Sequence, residues 1–198
     1  MSTYWAVNGV TSTLHDLLEE HITYSEDLQI QGVGVSTESP RRLRSTLAAD
    51  KRGISIWLYR VTRNPDLLNA APERTGPDTT LRHPLPIDLH YLMTPIAGTA
   101  GDEQLLLGRV LQVLNDHAIV RGDDLRTPLD PERVELRVVL DTLSLEDLTR
   151  IWNALQEPYD VSVAYVVQFL SVESHHEPTR RSPVLVREDG YEQIVGRG

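Results

Sequence analysis

The sequence contains no cysteine in its 198 residues. Without thiols it cannot build a disulfide framework, a thiolate nucleophile or a cysteine-based metal site. Long apolar runs are missing too, since no segment approaches the roughly 20 apolar residues that span a bilayer. The first residues, MSTYWAVNGV, lack the charged start and apolar run of a signal peptide. We therefore expect a protein that is made and used in the cytoplasm, or that leaves it without a signal peptide.

Basic side chains are scarce relative to acidic ones. The 19 Lys and Arg against 29 Asp and Glu give a formal net charge of -10. This acidity argues against nonspecific binding to nucleic acid or to anionic membranes, and neither is predicted as a partner. In other respects the composition, with 40% hydrophobic and 24% charged residues, is typical of one ordinary globular domain.

Motifs for catalysis or cofactor binding are also missing. The sequence has no GxSxG, no HExxH and no glycine-rich phosphate loop. The fragment GVGVST at residues 32–37 lacks both the third glycine of a dinucleotide fingerprint and the GKS or GKT of a P-loop. We accordingly predict no catalytic residue, no cofactor and no resident metal.

Three weaker chemical alternatives stay open. His90 and Asp88 share a strand face and suit a base with its orienting carboxylate, although any two residues at that spacing are neighbours. Asp123 and Asp124 suggest a cation site, but adjacent loop acids are usually solvated. The pair His175 and His176 would need a third ligand from elsewhere to hold a metal.

Residues 87–116 hold the most regular strand and the most apolar helix of the sequence. Residues 87–94 alternate between two faces, as a half-buried strand does, and Pro95 is expected to end it. Gly98 and Gly101 follow in a turn, where Thr99 or Asp102 can cap the next helix. A strand, a tight turn and a helix are therefore predicted here.

The helix predicted after this turn has more apolar surface than one sheet face requires. Its apolar side chains fill an arc of roughly 160°. They are Leu106, Leu107, Val110, Leu111, Val113 and Leu114. The surplus predicts a second partner, either another helix of the chain or a neighbouring subunit. Only Arg109, Gln112 and Asp116 form a clearly exposed strip.

The remaining pattern predicts an α/β (α+β) fold with a mixed or antiparallel sheet flanked by three principal helices. Alternation indicates further strands at residues 28–35, 53–62, 133–142 and 160–172. Amphipathic spacing indicates helices over residues 3–22 and from the capping Ser144 to Pro158. We divide the chain into a domain, residues 1–173, and a C-terminal arm, residues 174–198.

Two segments are expected to become ordered only on assembly. Residues 63–86 form a polar, proline-containing connection longer than compact domains usually carry. The arm contains strand-forming residues but few partners of its own. The interface candidates, taken from the exposed helix positions and from the arm, are Trp5, Arg109, Gln112, Asp116, Arg180, Arg181, Val184 and Val186.

Four segments carry a family resemblance. In order, ISIWLYRVTRNPDLLN, PLPIDLHYLMTPIA, EQLLLGRVLQVLND and LSLEDLTRIWNALQEPYDVSVAYVVQ resemble the cap or tail-terminator family of bacterial extracellular contractile injection systems, which are phage-tail-like particles. The resemblance covers about residues 5–173. It is specific both in the residues of the four segments and in their order. None of the four segments is a catalytic signature.

The resemblance implies a structural ring protein, expected to be a hexamer, at the tail end remote from the baseplate. There it would close the inner tube and hold the last sheath layer, so its partners would be its own copies, the tube protein and the sheath protein. The particle would assemble in the cytoplasm and be released or retained. Some relatives carry a longer C-terminal extension, and roles attributed to that extension do not transfer to this sequence.

Two other functions remain as alternatives. One is a small hydrolase or ligand-binding domain that uses His90 with Asp88, or an unidentified pocket. The other is a neck or tail-completion protein of a prophage. Neighbouring genes for sheath, tube and baseplate would favour the cap, whereas an isolated metabolic operon would favour the hydrolase.

Overall fold

The computed structural model describes residues 4–48, 50–67, 74–76, 79–80, 85–127, 129–132, 134–172 and 179–180. The strands are β1 (Gly34–Ser36), β2 (Gly53–Arg63), β3 (Arg74–Gly76), β4 (Thr79–Thr80), β5 (Leu85–Ile96), β6 (Ile119–Arg121), β7 (Glu135–Asp141), β8 (Val163–Val172) and β9 (Thr179–Arg180). The α-helices are α1 (Ala6–Leu18), α2 (Pro40–Thr46), α3 (Ala100–Asp116) and α4 (Leu145–Leu155). A π-helical turn, Glu19–Thr23, continues α1, and a 3-10 turn, Gly122–Asp124, follows β6.

Six strands form the main sheet in the order β1-β2-β5-β8-β7-β6. Neighbouring strands are antiparallel except β1 and β2, which are parallel. The two outermost strands contribute only three residues each. A second sheet, antiparallel and in the order β3-β4-β9, joins the connection between β2 and β5 to residues 179–180.

The larger core lies between the sheet and helices α1 and α3. On this face β5 presents Leu89, Tyr91 and Met93, all fully buried. The Tyr91 hydroxyl lies 2.8 Å from the Thr11 hydroxyl of α1. Burial raises the pKa of Tyr91 far above its ordinary value, although the hydrogen bond with Thr11 opposes the shift, so the phenol stays neutral.

A smaller core covers part of the opposite face, where α4 packs. Leu92 of β5 meets Trp152 and Leu155, and the surrounding side chains are half-buried. The Trp152 indole N–H donates to the Ser162 hydroxyl at 3.3 Å, which satisfies the polar atom of the largest buried side chain. The sheet is therefore covered by helices on both faces, but unequally.

Local capping explains where two of the helices begin. The Thr99 hydroxyl accepts from the Asp102 N–H at 3.2 Å and donates to the Asp102 carboxylate at 2.8 Å. Ser144 and Asp147 repeat this exchange at α4, at 3.1 and 2.7 Å. Gln156, in the left-handed region with φ 57°, ends α4.

The predicted fold class is confirmed, and the predicted strands at 53–62, 87–94, 133–142 and 160–172 are all present with shifted ends. Pro95 does not end its strand, because β5 continues to Ile96. Pro95 pairs with Ile54 of β2 beyond Met93, the last residue of β5 that pairs with β8. Its missing N–H therefore costs no bond to β8.

Three elements differ from the expectation. The strand predicted at 28–35 is reduced to β1, because the N–H groups of Ile30 and Gln31 bond to Asp27 in a turn. The polar run after β1 contains α2, which begins at Pro40 and is capped by Ser39, so the described part of the chain has four α-helices rather than three. The polar connection after α3 contains β6, which is too short to show an alternating pattern.

The two segments expected to order on assembly are partly described. The connection between β2 and β5 contributes β3 and β4, and β9 brings residues 179–180 beside them. Within residues 63–86, residues 68–73, 77–78 and 81–84 lie outside the described residues. The rest of the arm also lies outside them. Their ordering on assembly stays a prediction. Among the described helices, none has the length and apolar character to cross a membrane.

Neighbouring leucines of α3 test whether the helix is anchored as described. Leu106 is 0% exposed and Leu105 is 38% exposed. We expect Leu106→Ala to lower the free energy of unfolding by about 2–5 kcal/mol, because it leaves a cavity in the larger core. The matched Leu105→Ala should cost less than about 1 kcal/mol in the same urea titration. Equal losses for the two variants would contradict this placement of α3.

Candidate functional site

His90, the histidine considered for catalysis, pairs with a different carboxylate from the one expected. Its Nε2 lies 2.8 Å from the Thr62 hydroxyl and its Nδ1 lies 3.4 Å from the Asp141 carboxylate. Asp88 is buried and instead accepts a 2.8 Å hydrogen bond from the Asn64 side-chain amide. The alternative that paired His90 with Asp88 therefore gains no support, because each side chain is engaged elsewhere.

The order Thr62, His90 and Asp141 matches the order of a hydroxyl nucleophile, its base and an orienting acid. The resemblance goes no further in the described residues. The imidazole to carboxylate distance of 3.4 Å is long for a strong hydrogen bond. Three surface cavities of the described structure are lined by residues other than these. Through Thr62 and Asp141, His90 bridges three strands.

One cluster, His15, Asp16 and Glu19, has ligand atoms within 4.8 Å of one another. Asp16 already receives a hydrogen bond from the Arg126 guanidinium at 2.8 Å and lies 3.0 Å from His15 Nδ1. Burial raises the pKa of Asp16, but the hydrogen bonds from His15 and Arg126 and the nearby Arg126 charge outweigh it, so the pKa is lowered from its ordinary value. The guanidinium occupies the place that a cation would take.

The other proposed cation ligands gain no support from the described structure. Asp123 and Asp124 are exposed in the 3-10 turn. His175 and His176 lie outside the described residues.

Three exposed arginines lie on α2. Each lies near an acid: Arg41 is 3.7 Å from Glu157, Arg42 is 3.2 Å from Glu38, and Arg44 pairs with Asp160. Together with Ser39 and Ser45 they border an open cleft of about 520 Å³. Because the charges are matched locally, this cleft does not have the unbalanced charge of an anion site.

Trp5, an interface candidate, lies exposed just before α1. The sequence did not single out its neighbour Tyr4, which is also exposed, and the two ring centroids are 4.9 Å apart. Exposed aromatic pairs supply large contact area at protein interfaces. Arg109 of the α3 strip contacts the π turn at the far end of α1. Trp5 lies at the other end of that helix, about 20 Å away. Trp5 therefore does not belong to the α3 strip.

The predicted strip on α3 is only partly free. Gln112 and Asp116 are exposed, but Arg109 reaches across to the π turn. Its Nη2 and Nε donate to the His21 carbonyl at 3.1 and 3.4 Å, and its Nη1 donates to the Gln112 side chain at 2.8 Å. Arg109 thus ties α3 to the end of α1. A contact with another protein would have to use what remains exposed of this strip.

Of the interface candidates in the arm, only Arg180 is described. The backbone of Arg180 belongs to β9 and pairs with Thr79. Arg181, Val184 and Val186 lie outside the described residues. Their interface role stays a prediction.

One apolar surface combines part of the surplus apolar side predicted for α3 with strands that the sequence analysis did not connect with it. A groove of about 710 Å³ runs between the C-terminal half of α3 and strands β6 and β7, and we call it the edge groove. Its apolar lining includes Leu111, Leu114, Ala118, Ile119, Val138 and Leu140. Ile119 is 49% and Leu140 47% exposed. A usable signal was present, because the run Val138, Val139, Leu140 is apolar on both strand faces.

Comparison with known proteins gives one family and one fold. The family model described as the Pvc16 N-terminal domain matches residues 9–185. No curated protein sequence matches the chain.

Two solved structures share the fold. One is the sheath/tube terminator, in its extended state, of an extracellular contractile injection system, PVC, with a TM-score of 0.65 and 18% identity. The other is the anti-feeding prophage cap, a tube-terminating cap, with a TM-score of 0.59 and 15% identity. The alignments cover 100% and 92% of this chain but 67% and 60% of those chains, so each of those proteins is longer.

Replacing Arg109 tests whether it is a structural tie rather than a free surface charge. We expect Arg109→Met to lower the free energy of unfolding of the isolated subunit by about 1 kcal/mol, because the His21 carbonyl loses a charged donor. Gln112→Ala, the control on the same helix face, should change it by less than about 0.5 kcal/mol. An unchanged midpoint in urea for Arg109→Met would show that the bond contributes nothing.

Proposed function

The chain belongs to the Pvc16 N-terminal domain family, and we propose that it forms the terminating cap of a contractile injection particle. The cap would close the inner tube at the end remote from the baseplate and hold the last sheath layer. The family match over residues 9–185 is the observation that carries the proposal. The two structures that share the fold support it, since one is called a sheath/tube terminator and the other a tube-terminating cap.

Polymer physics gives such a protein a definite task. A tube or sheath ring presents the same heterologous surface to each incoming ring, so addition continues while that surface is offered again. A terminator must bind the last ring and present something different on its outer side. It therefore needs one surface for the tube, one for the sheath and one for its own neighbours.

The subunit has unlike surfaces in different places. Exposed aromatic rings lie before α1, arginines line the cleft on α2, and the edge groove is apolar. Unlike surfaces favour head-to-tail contacts, which close into a ring when the rotation between copies allows it. We propose a homo-hexamer that matches a sixfold tube. The net charge of -10 per copy would discourage one cap from stacking on another.

The proposed role requires no turnover. The hydrolase alternative named His90 with Asp88, which do not pair, or an unidentified pocket, and it stays the enzymatic rival to this proposal. A neck or tail-completion protein of a prophage would differ from the cap in its partner, not in its physics. We propose that the protein assembles in the cytoplasm into a particle that is then released or retained.

Deleting the gene tests the cap directly. Because nothing would then stop tube addition or retain the last sheath ring, we expect baseplates and tubes to form, with tails of abnormal length or prematurely contracted sheaths. Negative-stain micrographs of purified particles measure the length distribution and the contracted fraction. Tails of normal length and contractility from the deletion strain would sink the cap assignment.

Complementation of the deletion strain separates the cap from the hydrolase. His90→Gln keeps a hydrogen-bonding side chain but removes a catalytic base. We expect it to restore normal tails as well as the unsubstituted gene does. Failure of His90→Gln, with a thermal midpoint unchanged from that of the unsubstituted protein, would support the enzyme instead.

A further inference from the structure

The edge of strand β7 is only half covered. Strand β6 pairs with residues 135–137, and the Val138 N–H donates to the Ala118 carbonyl at 2.9 Å. Alternate residues of a strand point their N–H and C=O groups to the same side. Those of Leu140, two residues after Val138, therefore point outward, and among the described residues no strand pairs with them. One strand position beside residues 139–141 is open.

The open position is apolar on both faces of the sheet. On the α3 face lies the edge groove, with Leu111 and Leu140. Val139 and Ile119 also border the groove, but their register, Val139 with Val166 and Ile119 with Arg137, directs these exposed side chains to the other face. A strand added here would place successive side chains alternately on the two faces. It would therefore bury its apolar surface best if consecutive residues, not alternate ones, were apolar.

One segment of the chain outside the described residues fits this requirement. Residues 184–186, Val-Leu-Val, are the only three consecutive apolar residues among the undescribed positions. Val and Leu suit a strand that is covered on both faces. Three residues also match the length of the open edge, residues 139–141.

We propose that residues 184–186 of one copy add as a strand to the open edge of β7 in the neighbouring copy. The inference rests on the proposed ring, because only an oligomer brings a second copy to this edge. It assigns the acceptor surface for the arm and gives the edge groove its occupant. Backbone hydrogen bonds would supply affinity, and the apolar residues on both faces would fix the register.

The end of β8 and the acceptor edge are well separated. The arm leaves from the end of β8 at Val172, which pairs with Leu85. Leu140 pairs with Tyr165, seven residues back along β8 and roughly 23 Å away. The strand that leads into the arm therefore ends away from the acceptor edge of its own copy. A head-to-tail ring requires such a separation, because each copy gives on one side and receives on another.

The absence of native cysteine makes disulfide trapping a clean test. Leu140→Cys is combined in turn with Val184→Cys, Leu185→Cys and Val186→Cys in the full chain, and oxidised particles are run on non-reducing gels. Strand pairing predicts a period of two: either position 184 or 186, or both, cross-links while 185 does not, or 185 alone does. The expected products are dimers and larger multimers up to a closed ring.

In the control, the acceptor cysteine replaces an exposed leucine on the opposite face of the sheet. Leu145 at the start of α4 is 68% exposed. Leu145→Cys with the same three arm positions should yield at least about tenfold less multimer, since a disulfide needs Cα atoms within roughly 7 Å. Particles that carry the singly substituted chain measure the background.

Each other result overturns a specific step. A disulfide within one chain, seen as a compact monomer, would show that the arm pairs with β7 of its own copy and not with β7 of the neighbour. Equal cross-linking at all three arm positions would refute the added strand but not the cap role. The absence of any cross-link, with the protein present in the particles, would do the same. Absence of the unsubstituted protein from particles would remove the cap role, and the inference with it.

Discussion

The burial of β5 on both faces is the constraint on which the rest of the structure depends. This strand lies between β2 and β8 and is buried along almost its whole length. Its odd-numbered side chains need α1 and α3, and Leu92 on the other face needs α4. A buried polar side chain on such a strand is costly without a partner, and of those described on β5 the Thr94 hydroxyl lacks one. Asp88 finds Asn64 and His90 finds Thr62 and Asp141, so the apparent catalytic pair becomes part of the sheet's own hydrogen bonding.

The outer strands of the sheet are shorter than the central ones and, among the described residues, leave part of an edge unpaired. Such an edge suits a subunit that pairs with partners in an assembly. The central strands β2, β5 and β8 span 10 to 12 residues, while β1 and β6 span three. The short β6 leaves the end of β7 open beside an apolar groove. A monomer that keeps such an edge exposed carries an aggregation liability unless something covers it. A ring of identical copies is one way to cover every such edge at once.

Sequence reasoning succeeded where local chemistry decides the outcome. Alternation identified β2, β5 and β8, and the capping residues Thr99 and Ser144 marked where α3 and α4 begin. It made β1 too long and missed β6, and each of these three-residue strands forms because a longer neighbour pairs with it. The Ser39-Pro40 start of α2 was a readable signal that went unused. The pairing of His90 with Asp141 and of Arg109 with the His21 carbonyl joins residues 51 and 88 positions apart, which no local pattern encodes.

The central claim is that this fold terminates a tail, and the position of the protein on the particle tests it most directly. A cryo-electron microscopy reconstruction of the intact particle would resolve the six-stranded sheet with its four helices at either end. The account predicts a single ring of this fold at the end remote from the baseplate, in contact with both the last tube ring and the last sheath ring. Finding the fold at the baseplate, or repeated along the tail, would contradict it.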